Sequence, residues 1–560
     1  MIHPFERGLR REPDNLPRMT SLTYSARSRH AGTAGAVGAA VALFAILFAV
    51  VTVALLRQTG GHFTYALDDA YIHMAIAKNL ALHGVWGVQA DAFSSASSSP
   101  LWTALLGVSF KIFGVWDYMP IVLNTVFAVL CIVGLGLILE HEQVLGVSMF
   151  AVLAAVICFA PLVPMVWIGM EHTLHILLTL LTAWTASQLA QRFSWRRFSW
   201  LTILATFTVA TRFEGLFVVA GCAVLLSLAG RMMPAIILAV LSALPVLVVG
   251  VWNLSHGWFF LPSSIMMKQT VLPGAPGSSL VMSLVENVAR TDAPVTFFAL
   301  FGTALCLIAY QRLWSRPGKL PPLLVVFVVS ALLHLVFAKF GWLYRYESYL
   351  MALGVLAVGV SLSSMSRQTT KGLHSRAHQE TALIFTLVAV LAGGERTVAP
   401  LKVAVVTAGH IYRQQRHMAE FVRLYYDSAP VALNDIGAVS YFTHAKVHDL
   451  FGLGSLEAAR ARHAGRFDAH KINAWLDRDK VEIAIIYDDV FSGRMAFQND
   501  WDCVGSWRTD STGIVEAKVT FFAREAEGAQ RLAANLREFN PQIPPEVGAV
   551  VGCGPDAGRR

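Results

Sequence analysis

The chain has 560 residues, 55% of them hydrophobic and only 14% charged, with a mean hydropathy of +0.55. Soluble domains carry roughly 25% charged residues, so this composition excludes an ordinary soluble globular protein. The formal net charge of +8 does not point to nucleic acid, because the basic residues sit mostly in short loops between apolar blocks, where membrane topology accounts for them.

In chain order, the tail 1–35 carries Arg7, Arg10, Arg11, Arg18, Arg27 and Arg29, which the positive-inside rule keeps in the cytoplasm. The apolar run from Ala36 to Leu56 is too long for the core of a signal peptide and has no small-x-small cleavage site behind it, so it reads as a first transmembrane helix. Further apolar blocks predict spans near 119–139, 146–163, 172–190, 199–212, 214–230, 233–251, 294–311, 321–340, 346–364 and 381–399, about eleven in all. Leu101–Gly114 is too short to span comfortably and fits a helix lying in the interface, with Ser99 as N-cap and Pro100 as its first residue. With the N-terminus inside, four of the five cytoplasmic loops are basic, and only the first, with Glu140 and Glu142, departs from the rule.

An odd number of spans puts the rest of the chain outside. From about residue 400 the apolar blocks shorten to strand length. Val405–Tyr426 reads as helix, Val431–Tyr441, Val481–Tyr487 and Ile514–Phe522 as strands, and Ala523–Phe539 as helix. The expected fold is therefore an α-helical polytopic membrane bundle over 36–399 with an outer-face loop at 57–118, followed by a small extracytoplasmic α/β or α+β domain over 400–560. Cys131, Cys158, Cys222 and Cys306 lie in apolar blocks and read as core residues, while Cys503 and Cys553 can pair if their region is extracytoplasmic.

The outer face gathers the unusual residues. Asp68 and Asp69 follow the first helix side by side, and ionisable groups near a bilayer are costly enough to need a reason. Neighbouring carboxylates repel, which raises at least one pKa and suits a general base; the bland alternative is a pair of first-turn acids complementing a helix dipole. Asp69 and His73 are four apart and can share a helix face. Lys268, Arg212 and Arg345 are cations on the side opposite the positive-inside bias, and together they can bind an anion or, singly, snorkel to headgroups. Glu171 and Glu214 can pair with a cation, Glu214 with Arg212 for instance, or bind a divalent metal. The run Ser94–Ser99 is loop, or a set of hydroxyls for a sugar or phosphate. His444 and His448 have a His-x-x-x-His spacing without a helical pattern to align them, and zinc is not expected there. An outer-face base, nearby cations and a buried cavity fit sugar transfer from a lipid phosphate. Such a donor needs charge stabilisation at its leaving group and one carboxylate base for the acceptor.

Several motifs in order carry a resemblance: Leu67-Asp68-Asp69-Ala70-Tyr71-Ile72, Gly84-Val85-Trp86-Gly87, Ser98-Ser99-Pro100-Leu101-Trp102-Thr103, Gly169-Met170-Glu171-His172, Thr211-Arg212-Phe213-Glu214-Gly215, Pro262-Ser263-Ser264 through Lys268, and Tyr344-Arg345-Tyr346. Asn434-Asp435-Ile436-Gly437-Ala438-Val439-Ser440-Tyr441 and Asp449-Leu450-Phe451-Gly452-Leu453 add a C-terminal signature. Over roughly 36–455 the chain resembles the polytopic GT-C glycosyltransferases that use polyprenyl-phosphate sugars, and looks most like their arabinofuranosyltransferase and aminoarabinose-transferase branches. The resemblance implies an inverting transfer in the cell envelope. The first outside loop supplies the base, Asp68 or Asp69, with Asp68 favoured by its place in the motif. Lys268, Arg212 and Arg345 hold the donor phosphate, and His73, Glu171, Glu214 and Tyr344 are further site candidates. Some relatives use a divalent metal, for which this chain shows no clear ligand set. Partners implied are a polyprenyl-phosphate sugar, a glycan, lipid or protein acceptor, and the bilayer. Two positions depart from the family pattern: His172 stands where relatives often have Thr, and Phe213 where they often have Pro. A transporter or flippase for a lipid-linked or anionic solute stays open beside the enzyme, as does a receptor carried by the C-terminal domain. A transporter favours broken helices and paired halves, neither of which the sequence shows.

Overall fold

The computed structural model describes residues 17–268, 294–311, 321–368, 393–465, 467, 469–487, 501–509 and 516–552. The first twelve helices are α1 (Pro17–Gln58), α2 (Asp68–His83), α3 (Pro100–Phe113), α4 (Met119–His141), α5 (Gly146–Phe159), α6 (Leu162–Ile168), α7 (His172–Gln191), α8 (Trp195–Thr211), α9 (Gly215–Leu228), α10 (Met232–Ser242), α11 (Leu244–Ser255) and α12 (Ser263–Lys268). Helices Pro294–Tyr310, Pro322–Phe337 and Ser348–Gln368 follow, then a helix over 393–411. Helices thus occupy the first ten predicted spans. The predicted span 381–399 lies mostly outside the described residues.

Among the described residues five stretches are long and apolar enough to cross a bilayer by length and composition: His30–Gln58, Met119–His141, Gly146–Ile168, Met232–Ser255 and Ser348–Met365. Pro161 and Pro245 explain why two of these are built from paired helices, since proline removes a backbone donor and clashes with the preceding turn. Ile236, Val240, Leu244, Leu247, Val248 and Val251 leave α10 and α11 with an exposed apolar face, a surface suited to hydrocarbon and costly in water. The acidic loop after α4, which departs from the expected charge pattern, is explained locally, because Glu142 accepts from Trp184 and Gln188, and Glu140 pairs with His30.

The C-terminal part is a six-stranded mixed sheet in the order β2-β1-β3-β5-β4-β6, with β1 (Pro430–Leu433), β2 (Lys446–Asp449), β3 (Ile483–Tyr487), β4 (Asp502–Arg508), β5 (Lys518–Ala523) and β6 (Gly548–Val551). β1 runs parallel to β2 and β3, and the remaining pairs are antiparallel. Side chains alternate across a strand. Val431, Leu433, Ile483 and Ile485 therefore pack into the core continuous with the helical bundle, while Ala432, Ala484 and Ile486 build a second core with Ile472, Leu476 and Trp501. The strand expected over Val431–Tyr441 ends early. β1 stops at Leu433, and Gly437–Phe442 is a short helix. Cys503 is disulfide-bonded, Cys553 lies outside the described residues, and Cys131, Cys158, Cys222 and Cys306 are free.

Candidate active site

Leu67 is the extended N-cap of α2, so Asp68 and Asp69 are its first two residues. Successive helical residues point about 100° apart, and the two carboxylates diverge. Asp68 is buried and turned toward the C-terminal domain: its Oδ2 accepts from the Gly437 N–H at 2.6 Å and its Oδ1 from the Ala438 N–H at 2.8 Å. Burial and the neighbouring Asp435 carboxyl push Asp68 well above the ordinary carboxylate range. Asp69 faces the other way. Its Oδ2 accepts from Arg345 Nη2 at 3.0 Å, and its side chain is 20% exposed. The preference for Asp68 as base therefore meets a carboxylate whose two oxygens already serve backbone donors, and Asp69 is the acid that meets Arg345.

Arg345 also donates to Met170 Sδ at 2.8 Å and to the Tyr346 hydroxyl at 3.3 Å. Arg212 follows the last residue of α8. It donates to Glu171 Oε1 at 2.6 Å and to Glu214 Oε1 at 2.7 Å, so the pairing of Glu214 with Arg212 is present and Glu171 joins it. Both guanidinium groups lie against the Tyr346 ring, at 5.0 Å for Arg345 and 5.7 Å for Arg212. The turn Met170-Glu171 thus touches both arginines. Two of the three expected phosphate-binding cations are already paired with acids. Among the described residues Arg212 Nε, Arg345 Nε, Glu171 Oε2 and His172 Nε2 are buried without a hydrogen-bond partner. Unmade bonds of this kind cost about 1–3 kcal/mol each, which marks the cluster as more than packing. Lys268 closes α12, and its side chain lies outside the described residues.

The turn that delivers Arg345 is unusual. Gly341, Trp342, Leu343 and Tyr344 are all left-handed, with φ of 77°, 48°, 67° and 60°. The Gly341 N–H donates to Glu347 Oε2 at 3.0 Å, and Glu347 pairs with Arg396 at 2.8 Å. Tyr344 lies under the Arg396 guanidinium at 5.4 Å, which places it with this buried ion pair. His73 Nδ1 hydrogen-bonds Thr103 Oγ1 at 2.8 Å.

Most serines of the loop run are structural. Ser97 bonds Thr103, Ser99 donates to the Thr211 carbonyl at 2.6 Å without capping α3, and Ser94 accepts from the Val88 N–H. Ser263 ties the Ser95 carbonyl to that of Leu453 in the C-terminal domain. His444 and His448 pair with Asp427 and Asp479. Among the described residues no group of three His, Cys, Asp or Glu side chains could hold a metal ion.

Sequence reasoning did not single out Tyr346 or Asp435 as site residues, although both stand in motifs that it marked. Asn434, Asp435 and Tyr487 sit at the carboxyl ends of parallel strands β1 and β3, and Asp449 at that of β2, the edge where α/β sheets place their sites. Asp449 accepts from the backbone N–H groups of Phe451, Gly452 and Gly454, which folds the second C-terminal motif into a tight loop.

A crystal structure of ArnT from Cupriavidus metallidurans bound to undecaprenyl phosphate superposes with a TM-score of 0.50 at 13% identity, over 87% of this chain and 98% of that one. The chain has the fold of ArnT. The expected architecture, several apolar helices with a small sheet domain at the C-terminal end, is thus consistent with that fold. The arabinofuranosyltransferase AftD from mycobacteria also matches, with a TM-score of 0.40 and 13% identity, over 86% of this chain and 40% of AftD. Residues 407–523 match a family model described as a domain of unknown function, DUF8728. No curated protein matches in sequence. The DUF8728 match contains β1, Asp435 and Gly437, so the contact to Asp68 joins that domain to the start of α2 in the helical bundle.

Proposed function

We propose that the protein is an inverting glycosyltransferase of the inner membrane that moves a sugar from a polyprenyl-phosphate donor to an extracytoplasmic hydroxyl or amine. In this reading the chain crosses the membrane about eleven times, with a cytoplasmic N-terminus and the sheet domain outside. Asp69 takes the proton of the acceptor as its oxygen or nitrogen attacks the anomeric carbon. The bond from that carbon to the phosphate oxygen breaks, and polyprenyl phosphate leaves. Attack opposite the leaving group inverts the centre. Arg345, Arg212 and Lys268 face the donor, the arginines through their unpaired Nε–H groups. The observation that carries this reading is the Asp69–Arg345 pair, beside Arg212 and Tyr346, in a fold shared with a protein that binds undecaprenyl phosphate.

The test uses full-length protein in nanodiscs with undecaprenyl-phosphate-linked arabinofuranose and aminoarabinose as donors. Asp69→Asn is expected to lower transfer about 100-fold or more while undecaprenyl phosphate binding persists. Transfer at the wild-type rate by that variant sinks the base assignment. Movement of the lipid across the bilayer without any covalent product sinks the transferase in favour of the flippase.

A further inference from the structure

Asp68 is not spare. It begins α2, and its carboxylate is spent on the C-terminal domain rather than on the cluster of Asp69 and Arg345. Its partners stand on firm elements. Asp435 follows β1, and its Oδ2 accepts from Gln415 Nε2 at 2.9 Å and from the Tyr487 hydroxyl, at the end of β3, at 2.8 Å. Asp435 lies two residues before Gly437, and with burial its neighbouring carboxyl raises Asp68. Gly437 lets the two domains meet this closely: a Cβ there would lie 2.6 Å from Asp68 Oδ2, so any side chain would push α2 away. Lys78, one face further along α2, donates to the Tyr441 carbonyl at 2.8 Å, and Tyr441 in turn donates to Asp117 at 2.7 Å. The first outside loop is therefore held against the sheet at both ends of a short segment.

We propose that the Asp68–Asp435 carboxyl pair is a positioning device, through which the C-terminal domain fixes the N-terminus of α2 and with it the Asp69 carboxylate against Arg345. This rests on the reading of Asp69 as the base. Neighbouring carboxyls repel in their charged forms, which favours a proton on the buried Asp68. The groups that act on Asp68 are Asp435 and the Gly437 and Ala438 N–H groups, and it acts in turn on Tyr71 of α2, beside which Arg416 stands, and on Tyr487 of β3. Burial raises both tyrosines, so neither adds a charge beside Asp68 in the ordinary range. A carboxyl raised in the folded state stabilises the fold fully below its ordinary range and loses that contribution as pH rises through its raised value. The device therefore releases on the alkaline side.

Hydrogen-bond valence makes the test directional. Both Asp68 oxygens accept backbone N–H groups, so an amide at 68 would set N–H against N–H, whereas an amide at 435 removes the neighbouring carboxylate that repels Asp68. Full-length protein in nanodiscs is assayed for sugar transfer from the undecaprenyl-phosphate donor across pH, with amide hydrogen exchange of residues 66–83 in parallel. Asp435→Asn is expected to keep the transfer rate within about threefold and to shift the alkaline limb upward by about one pH unit or more, with α2 protected over the same range. Asp68→Asn is expected to lose about 100-fold in kcat with the donor KM nearly unchanged, the signature of a misplaced base. A wild-type kcat for Asp68→Asn overturns the proposal. So does an alkaline limb and α2 exchange unmoved by Asp435→Asn while Asp69→Asn is inactive. Should Asp69→Asn itself transfer at the wild-type rate, the base reading has failed, and the exchange arm reports on the clamp separately.

Discussion

At the scale of single residues, Arg212 shows how a buried cation is held. Glu171 is fully enclosed, whereas the Glu214 side chain is 23% exposed. Removing one partner of a buried pair strands the other charge and costs about 3–5 kcal/mol, while a pair that water reaches costs far less. Glu171→Gln should therefore lower the thermal unfolding midpoint of the full-length protein in detergent well below that of Glu214→Gln. Equal midpoints would show that water reaches both carboxylates. The arginines, the acids and Asp69 were each legible as residues, because ionisable groups stand out against apolar surroundings. The local pairing of Glu214 with Arg212 was legible too, but the distant ones were not, since Arg212 meets Glu171 across 41 residues and Arg345 meets Asp69 across 276. The same holds for the division of labour between Asp68 and Asp69. Adjacency in sequence says that they diverge, but only the position of Gly437 decides which of them is occupied.

At the scale of elements, helices were the legible part, because hydropathy and its period are local properties. Helices α4, α7 and α9 lie within a few residues of their predicted spans. The strand expected over Val431–Tyr441 failed where a tertiary demand took over: the chain turns after Leu433 to bring Gly437 and Ala438 onto Asp68. The turn over 341–344 was equally hidden, since no local preference puts Trp, Leu and Tyr in succession at positive φ. The left-handed conformation costs a non-glycine residue about 1–2 kcal/mol, and strain of this kind gathers at functional sites. Trp342 is 47% exposed whereas Leu343 and Tyr344 are buried, so of the three its side chain gives up the smallest share of its burial when removed. Trp342→Gly should stabilise the protein by about 1 kcal/mol, seen as a higher unfolding midpoint. A lower midpoint would mean that the indole contributes more than the strain it imposes.

At the scale of the whole molecule, the fold joins an apolar bundle to a sheet domain that only one side of a membrane can accommodate. Two features support the orientation proposed above, the loop charges and a disulfide. The basic loops Arg192–Arg197 and Arg312–Lys319 alternate in sequence with loops that carry Asp68, Arg212 and Arg345. The end of α3 and the loop after it expose Ile112, Phe113, Trp116 and Tyr118, an aromatic-rich edge of the type found at either membrane–water boundary, and Tyr118 packs against Phe63 of the loop before α2. Cys503 in β4 is disulfide-bonded, and disulfides persist in oxidising compartments rather than in the cytoplasm. Alkaline phosphatase folds only in such a compartment, because it too depends on disulfides, so a fusion after residue 552 should be active. The same reporter joined after Gln311, in a loop that the proposed topology puts in the cytoplasm, should be silent. An inactive C-terminal fusion beside an active loop fusion would invert the topology. It would move Asp69, Arg345 and the sheet domain to the cytoplasm together, since the contacts at Asp68 and Ser263 bind them to one face.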